Sequence, residues 1–296
     1  MTLTTTKEML IEASLGGYGV CAFNVENMEM VIAAIEKAEA MRAPVIIQTT
    51  PGTLRHAGPE IFAAMVKSLA DGVRVPVALH LDHGDSFELA VRVLRAGYTS
   101  VMIDGSRLDF AENVRLTKSV VRVCRACGIP VEGELGAIGG KEDDLSGLSG
   151  DGLTDPGEAA AFAGETGVDS LAVAVGTAHG FYKKEPKLDL ARLAAIRDKA
   201  KIPLVLHGAS GVPFDAVRAA VKNGVTKVNY ATDLRVIFTQ AVKDSLARDP
   251  KTTDPKKYLK VAMEAVKNRA ESRIANCGGA GRIPPENVKP NVGVDI

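Results

Sequence analysis

Three of the five histidines of this 296-residue chain stand at or just beyond the end of an apolar run, and a glycine follows each of them: His83, His179 and His207. Side chains at the carboxyl ends of buried parallel strands can converge on a ligand. Three neutral imidazoles that leave one coordination position open are typical of a catalytic zinc site. The alternative is that each ring only forms its own local hydrogen bonds. The common position of the three histidines at strand ends disfavours this alternative. The pattern therefore predicts a zinc site.

Acidic side chains also stand at the ends of predicted strands. Asp82 directly precedes His83 and is expected in or beside the coordination sphere. A carboxylate next to a divalent ion can give or take the proton of a substrate hydroxyl, and orienting a histidine ring is the alternative role. Asp104 and Glu134 could form an alternative or additional metal position, bind substrate hydroxyls or make structural hydrogen bonds.

Two short stretches rich in glycine and hydroxyl residues follow the last two predicted strands, at 208–211 and 229–233. In a barrel of parallel strands these loops are the standard place for a phosphate, which backbone N–H groups and a helix N-terminus bind. Ser210 and Thr232 would add hydroxyl donors, although glycine and serine are also plain turn formers. The remaining polar strand ends are Asn24, Gln48, Thr50, Asn229 and Asp233.

The elements that position these residues are short apolar runs that alternate with segments of helical period. The predicted strands are residues 19–25, 44–50, 76–81, 100–103, 130–135, 170–175, 203–206 and 226–229. Eight such units predict an α/β protein, a single (β/α)8 TIM barrel with all strand ends at one mouth. A doubly wound sheet is disfavoured, because the glycine-rich stretch 16–19 precedes the first strand instead of following it.

Two segments lie outside the eight repeats. An extra C-terminal helix is predicted over 255–276, so residues 1–283 form the expected barrel domain and 284–296 an irregular tail. The stretch 137–153 carries five glycines together with Glu142, Asp143 and Asp144. A mobile lid that carries an acid or base and a surface excursion both fit this composition.

The overall composition excludes several classes of protein. Equal numbers of basic and acidic side chains, 36 each, argue against nucleic-acid or membrane partners. No apolar run approaches the roughly 18 residues of a transmembrane helix, and the N-terminus lacks the pattern of a secretory signal. Cys124 and Cys127 have C-x-x-C spacing but no second ligand pair, which favours neighbours on a helix over a metal site. Cysteine usage gives no disulfide framework, so a cytoplasmic location is expected.

Several sequence motifs, taken together, are specific for one protein family. They are Leu-His-Leu-Asp-His-Gly at 79–84, Glu-Gly-Glu-Leu-Gly at 132–136 with Gly-Gly-Lys-Glu-Asp-Asp at 139–144, Gly-Thr-Ala-His-Gly at 176–180, Leu-His-Gly-Ala-Ser-Gly at 206–211, Val-Asn at 228–229 and Thr-Asp at 232–233. From about residue 5 to Ile283 the chain resembles class II, zinc-dependent ketose-bisphosphate aldolases. It is most similar to the tagatose-bisphosphate branch, with fructose-bisphosphate aldolases next.

The resemblance implies a reversible, zinc-dependent aldol cleavage. A ketose 1,6-bisphosphate, tagatose or fructose, would give dihydroxyacetone phosphate and glyceraldehyde 3-phosphate. The resemblance implies that His83, His179 and His207 bind the zinc. It assigns to Asp82 the proton of the C4 hydroxyl, and to Glu142 the proton of dihydroxyacetone phosphate.

Further expectations follow from the same resemblance. They are one zinc per subunit, a second metal position at Asp104 and Glu134, a monovalent cation (Na⁺ or K⁺) near the phosphate, and a homo-oligomer, dimer or tetramer. Fructose-specific relatives often carry aspartate at the position of Ala231, so tagatose or a broader ketose specificity is favoured. The expected substrate and phosphate contacts are Asn24, Thr50, Gly180, Gly208, Ser210, Asn229 and Thr232.

Two other functions compete with this interpretation. A Schiff-base aldolase would use a barrel lysine such as Lys227, but this leaves the three histidines unexplained. A catalytically silent barrel could bind sugar phosphates as a partner subunit. The complete set of histidines and Asp82 disfavours that second alternative.

Overall fold

The computed structural model describes residues 3–136, 138–142, 145–146, 152–180, 182 and 184–285, and for 139–142 and 145–146 the backbone alone. In chain order its strands are β1 (Val20–Asn24), β2 (Val45–Thr49), β3 (Val77–Gly84), β4 (Ser100–Ile103), β5 (Val131–Leu135), β6 (Gly139–Glu142), β7 (Leu145–Ser146), β8 (Ser170–Val173), β9 (Ala178–His179), β10 (Leu204–Leu206) and β11 (Val225–Tyr230). Eight of them close into a parallel barrel in the order β1-β11-β10-β8-β5-β4-β3-β2. The other three form a small sheet in the order β7-β6-β9.

Helices follow the barrel strands and form its outer layer. They are α1 (Thr6–Gly16), α2 (Met28–Ala40), α3 (Pro51–Ala57), α4 (Pro59–Gly72), α5 (Phe87–Ala96), α6 (Phe110–Ala126), α7 (Pro156–Thr166), α8 (Leu190–Ala200), α9 (Phe214–Lys222), α10 (Thr232–Arg248) and α11 (Pro255–Asn276). The prediction of a (β/α)8 TIM barrel with an extra C-terminal helix is confirmed. Helices α1 and α3 and the small sheet were not predicted.

Alternation along the strands separates an apolar outer face from a layered interior. On β3, Val77, Leu79 and Leu81 belong to the core shared with the helices. Ala78 lies on the other face, in a second apolar cluster with Ile46 of the neighbouring strand. His80 and Asp82, two and four residues further along β3, continue this interior face towards the mouth.

Helix α1 closes the bottom of the barrel. Its residues Met9, Leu10 and Ala13 are buried and pack in the same apolar cluster as Ala22 and Ala78 of the barrel interior. The polar interior above this cluster is therefore sealed from below. Only the carboxyl ends of the strands are left for substrate to enter.

Helix α11 packs on the outside of the barrel against α2 and α10. Ion pairs join Lys37 to Glu271 and Asp233 to Arg269 across these contacts. No helix in the described part of the chain is long and apolar enough to cross a membrane. Most of the predicted tail, residues 286–296, lies outside the described residues, so the domain boundary at 283 stays a prediction.

Candidate active site and metal centre

A local irregularity in β3 brings two consecutive side chains to the mouth. Along a regular strand Asp82 and His83 would point to opposite faces. The pairing of β3 with β4 shifts between Leu81 and Gly84, and His83 has a positive φ of 49°. A Cβ at Gly84 would collide with the backbone carbonyl of Met102, so this turn requires glycine. The irregularity directs His83 inward beside Asp82.

The structure gathers His83, His179 and His207 at the mouth. Their ring centroids lie 5.0 Å apart for His83 and His179, 4.7 Å for His83 and His207, and 5.8 Å for His179 and His207. One ring nitrogen of each residue lies within 4.8 Å of those of the other two. His83 lies in β3, His179 in β9 and His207 directly after β10, so the closed barrel brings together residues that are far apart in the sequence.

Carboxylates determine which ring nitrogen is available for a metal ion. Nδ1 of His83 lies 2.8 Å from Oδ2 of Asp104, and Nε2 of His207 lies 2.9 Å from Oε1 of Glu132. An ionised carboxylate only accepts hydrogen bonds, so in neutral rings these nitrogens carry the protons. The opposite nitrogens, Nε2 of His83 and Nδ1 of His207, then face each other with lone pairs at 3.0 Å. A cation between them would satisfy both.

Two carboxylates next to the rings have opposite pKa shifts. Burial raises the pKa of Asp104, but hydrogen bonds from His83 and Ser106 outweigh it and hold the pKa well below its usual value. Burial and the charge of Asp104 raise the pKa of Glu134 well above its usual value. Oε2 of Glu134 lies 3.8 Å from Nδ1 of His83 and is buried with no hydrogen-bond partner among the described residues. This oxygen requires a proton or a cation.

The charge balance of the mouth also fits a divalent cation. No lysine or arginine of the described residues pairs with Asp82, Asp104 or Glu134. Burial lowers the pKa of His207, which keeps this ring neutral. Imidazole and carboxylate are the ligands that zinc takes in proteins. His83, Asp104 and Glu134 form a second group of potential ligands whose donor atoms also lie within 4.8 Å of one another.

Two amides hold Asp82 in place. Nδ2 of Asn24 donates to Oδ2 of Asp82 at 2.7 Å, and Nδ2 of Asn229 donates to Oδ1 at 3.1 Å. Gln48 in turn donates to Oδ1 of Asn24 at 2.7 Å. These two donors fix the orientation of the Asp82 carboxylate. Oε1 of Gln48 and Oδ1 of Asn229 are buried without a partner among the described residues, so each can accept a hydrogen bond from a substrate hydroxyl.

The loops predicted to bind phosphate meet beside His179. A small cavity there is lined by His179, Gly180, Gly208, Ser210, Asn229, Ala231 and Thr232. It adjoins a wider cleft of about 480 Å³ that shares Gly180, Ser210 and Thr232. Thr232 is the first residue of α10, whose positive dipole end attracts an anion, and the N–H of Asp233 in the same turn donates to Oγ of Ser210. A Cβ at Gly208 would collide with the Ala178 carbonyl, so glycine permits the close approach of the two loops.

Tyr182 links the loops that carry two of the histidines. Its hydroxyl accepts from the N–H of Ala178 at 2.7 Å and donates to the carbonyl of Gly208 at 2.8 Å. Burial raises the pKa of Tyr182 to about 12, so the phenol keeps the proton that it donates. Tyr182 was not predicted from the sequence, because no local pattern marks a side chain that bridges two loops.

Replacing Tyr182 by phenylalanine is expected to lower the free energy of unfolding by about 1–3 kcal/mol, since two backbone groups lose their partner. Urea denaturation of the metal-free protein measures this change. Tyr258→Phe is the matched control, because the Tyr258 hydroxyl makes no hydrogen bond in the described part of the chain. Equal stability of Tyr182→Phe and the control would show that the bridge does not stabilise the loops.

Two predicted site residues and the predicted lid need separate comment. Thr50 is buried as the N-cap residue of α3, where its hydroxyl accepts from the N–H of Thr53, so its assignment to substrate stays a prediction. The side chain of Glu142 lies outside the described residues. Its strand β6 runs beside β9, with Gly140 paired to His179. Residues 137, 143–144 and 147–151 of the predicted lid also lie outside the described residues.

A (β/α)8 barrel that gathers imidazoles and carboxylates at the carboxyl ends of its strands is the frame of a metal-dependent enzyme. Residues 4–282 match the family described as fructose-bisphosphate aldolase class-II. The chain belongs to this family, which is generally metal-dependent, and the protein is a class II aldolase, a lyase. The resemblance found in the sequence is thereby confirmed.

Solved structures agree with this membership. The YdjI aldolase from Escherichia coli K12 is 36% identical to this chain, with a TM-score of 0.86 over 95% of this chain and all of that one. A Coccidioides immitis protein with the provisional name fructose-1,6-biphosphate aldolase is 29% identical, with a TM-score of 0.85 over 93% and 96%. Fructose-bisphosphate aldolase (Fba) from Campylobacter jejuni, at 24% identity and a TM-score of 0.79 over 93% and 94%, shows the shared fold.

Proposed function

We propose that this aldolase catalyses the zinc-dependent, reversible cleavage of tagatose or fructose 1,6-bisphosphate to dihydroxyacetone phosphate and glyceraldehyde 3-phosphate. One observation carries the proposal: the ring nitrogens of His83 and His207 face each other at 3.0 Å. Beside them lies Asp82, which accepts a hydrogen bond from the side-chain amide of Asn24. A small cavity adjoins them at His179 and borders a wider cleft of about 480 Å³.

The residues present fit one zinc ion per subunit, held by His83, His179 and His207. When bound, the ion would polarise the substrate carbonyl and offset the negative charge that develops on its oxygen. Asp104 and Glu134 fit a second metal position with His83. A monovalent cation, Na⁺ or K⁺, near the phosphate remains part of the proposal on family resemblance.

Asp82 is proposed to take the proton of the C4 hydroxyl in cleavage and to return it in condensation. Its carboxylate is buried and held by two amide donors, which fix its direction, and it forms no ion pair with a lysine or arginine of the described residues. Asn24 and Asn229 therefore position the base as well as contacting substrate. A positioned acid or base typically contributes about 10²–10⁴-fold in rate.

Glu142 is proposed to exchange the proton of dihydroxyacetone phosphate. The parallel pairing of Gly140 with His179 supports this role, because Glu142 follows Gly140 by two residues on β6. The phosphate would lie against Gly180, Gly208, Ser210 and Thr232, which line the cavity. Thr50 remains a further proposed substrate contact.

Ala231 bears on the choice of ketose. It lines the small cavity between Asn229 and Thr232 and brings a methyl group, where fructose-specific relatives often bring a carboxylate. This supports tagatose 1,6-bisphosphate or a broader specificity, in carbohydrate metabolism related to glycolysis. Parallel cleavage assays on both bisphosphates decide between them.

The Schiff-base alternative loses support from the position of Lys227. Its side chain is buried in the barrel interior, with Nζ 2.9 Å from Oε2 of Glu132. A Schiff-base lysine must present an unprotonated amine to the substrate ketone. An ammonium group held by a buried carboxylate does not meet that requirement. The intact Asp82 and histidines likewise argue against a silent sugar-phosphate-binding subunit.

A homo-oligomer, dimer or tetramer, and a cytoplasmic location complete the proposal. Cys21, Cys124 and Cys277 are buried and unpaired in disulfides, as is usual in a reducing compartment. No nucleic-acid or membrane partner is proposed.

Exhaustive chelation is expected to abolish cleavage of both bisphosphates, and added Zn²⁺ to restore it, because a metal-bound site supplies the carbonyl activation. Metal analysis should find one zinc per subunit in the active protein. Borohydride reduction in the presence of dihydroxyacetone phosphate is the control for the Schiff-base mechanism. Full activity after chelation, together with a trapped adduct, would overturn the proposal.

A further inference from the structure

A polar layer lies inside the barrel, directly below the three histidines. It consists of His80 on β3, Glu132 on β5 and Lys227 on β11, all buried. The apolar cluster around α1 lies on the same interior face further down. The closed bottom and the site above separate this layer from solvent. Removing charged groups from water costs desolvation free energy, so an ion pair in the interior is expected to have a structural or functional role.

The contacts of this layer form one continuous chain that ends at a proposed zinc ligand. Nζ of Lys227 lies 2.9 Å from Oε2 of Glu132, and Oε1 of the same carboxylate accepts from Nε2 of His207 at 2.9 Å. One oxygen of the Glu132 carboxylate therefore pairs with the ammonium group of Lys227, and the other accepts the hydrogen bond from the His207 ring. Rotation of the Glu132 carboxylate would break both the ion pair with Lys227 and the hydrogen bond from His207.

A second contact fixes Lys227 from below. Its Nζ lies 3.5 Å from Nε2 of His80, and Nδ1 of His80 lies 2.7 Å from Oγ of Ser100. Oγ of Ser100 in turn lies 2.8 Å from Oγ1 of Thr6, at the start of α1. The network thus runs from the helix that closes the barrel to the ring of His207.

We infer that Lys227 is a positioning residue that acts on the metal site through Glu132 and His207. It holds Glu132 in the orientation that places the His207 proton on Nε2 and leaves Nδ1 to the metal. The inference rests on the proposed zinc site and is independent of which ketose is cleaved. Its role explains a buried lysine that the aldol chemistry itself does not use.

Lys227→Met is expected to weaken Zn²⁺ binding by about 10–100-fold, the usual effect of losing a group that orients a ligand. Competition between the full-length metal-free protein and a chromophoric chelator measures the affinity for Zn²⁺ alone. The visible spectrum of the Co²⁺-loaded protein should change as well, because His207 is no longer fixed. Thr226→Val is the matched control: Thr226 is the buried neighbour on β11, and within the described part of the chain its hydroxyl donates to the Leu204 carbonyl alone.

Repeating the Lys227→Met substitution in the Glu132→Gln variant distinguishes a positioning role of Lys227 from a general effect on stability. In Glu132→Gln, adding Lys227→Met should change Zn²⁺ affinity by no more than about twofold, since Lys227 has lost the carboxylate through which it acts. A residue that merely supports the fold would weaken binding equally in both backgrounds. If Lys227→Met alone fails to fold, the double variant, which removes both charges together, is compared with Glu132→Gln.

Several results would overturn the inference. They are unchanged Zn²⁺ affinity and Co²⁺ spectrum in Lys227→Met, an equal loss in both backgrounds, or a double variant that binds as tightly as the wild type. Absence of Zn²⁺ binding by the wild type would instead refute the proposed function. The two failures are therefore distinguishable in the same titration.

Discussion

Replacing His83, His179 or His207 by alanine is expected to remove the divalent ion and lower aldol cleavage by about 10³-fold or more, since the ion offsets several kcal/mol of developing charge. The barrel should remain folded, because its core lies between the strands and the helices and not at the mouth. His207→Ala should be the least stable of the three variants. It removes the group to which Oε1 of buried Glu132 is hydrogen-bonded.

Metal content by atomic emission, circular dichroism and the cleavage rate check this expectation together. His56→Ala is the matched control, because His56 is exposed in the last turn of α3, away from the barrel interior. It should keep full metal content and activity. Stoichiometric zinc in all three mouth variants would show that the ion, if present, is bound elsewhere.

The barrel and most of its mouth could be predicted from the sequence. Strands buried on both faces read as continuous apolar runs, and prolines at 44, 76, 130 and 203 directly precede four of them, so their bounds fall within a few residues of those observed. Once the strands are placed, barrel geometry alone brings Asp82, His83 and His207 to one end. Helix α1 was missed because it precedes the first repeat, and α3 because it is short.

The interior of the barrel was harder to predict. Val131–Leu135 reads Val-Glu-Gly-Glu-Leu, which places Glu132 and Glu134 on one face of a buried strand and signals an interior partner. The partner of Glu132 is Lys227, 95 residues later, and no local pattern connects the two. The inward direction of His83 depends on the irregularity of β3. Gly84 is the one sequence signal of that irregularity.

The two proposed proton-transfer residues should separate by the half-reaction that each serves. Exchange of the dihydroxyacetone phosphate proton with solvent needs only the base at Glu142. Cleavage additionally needs Asp82 at the C4 hydroxyl. Asp82→Ala is therefore expected to lose cleavage by about 10²–10⁴-fold yet still exchange the proton. Glu142→Ala should slow both reactions, because proton transfer to dihydroxyacetone phosphate is common to them.

The cleavage rate is measured from the release of glyceraldehyde 3-phosphate. The exchange rate is measured from the loss of tritium from labelled dihydroxyacetone phosphate. Both variants must first be shown to retain the divalent ion, since its loss would mimic either defect. Asn24→Ala serves as an intermediate control. It removes one of the two amide donors to Asp82 and should slow cleavage less than Asp82→Ala.

Comparing the exchange rate with the cleavage rate is more informative than either rate alone. Asp82 is buried next to the histidines and held by Asn24 and Asn229, so its loss could disturb the site in a general way. A general disturbance would slow exchange and cleavage together, whereas a specific loss of the C4 base leaves exchange intact. Exchange that collapses in Asp82→Ala and survives in Glu142→Ala would reverse the two roles. The enzyme would then use the carboxylate fixed inside the barrel on dihydroxyacetone phosphate, and the one on β6 at the aldehyde oxygen.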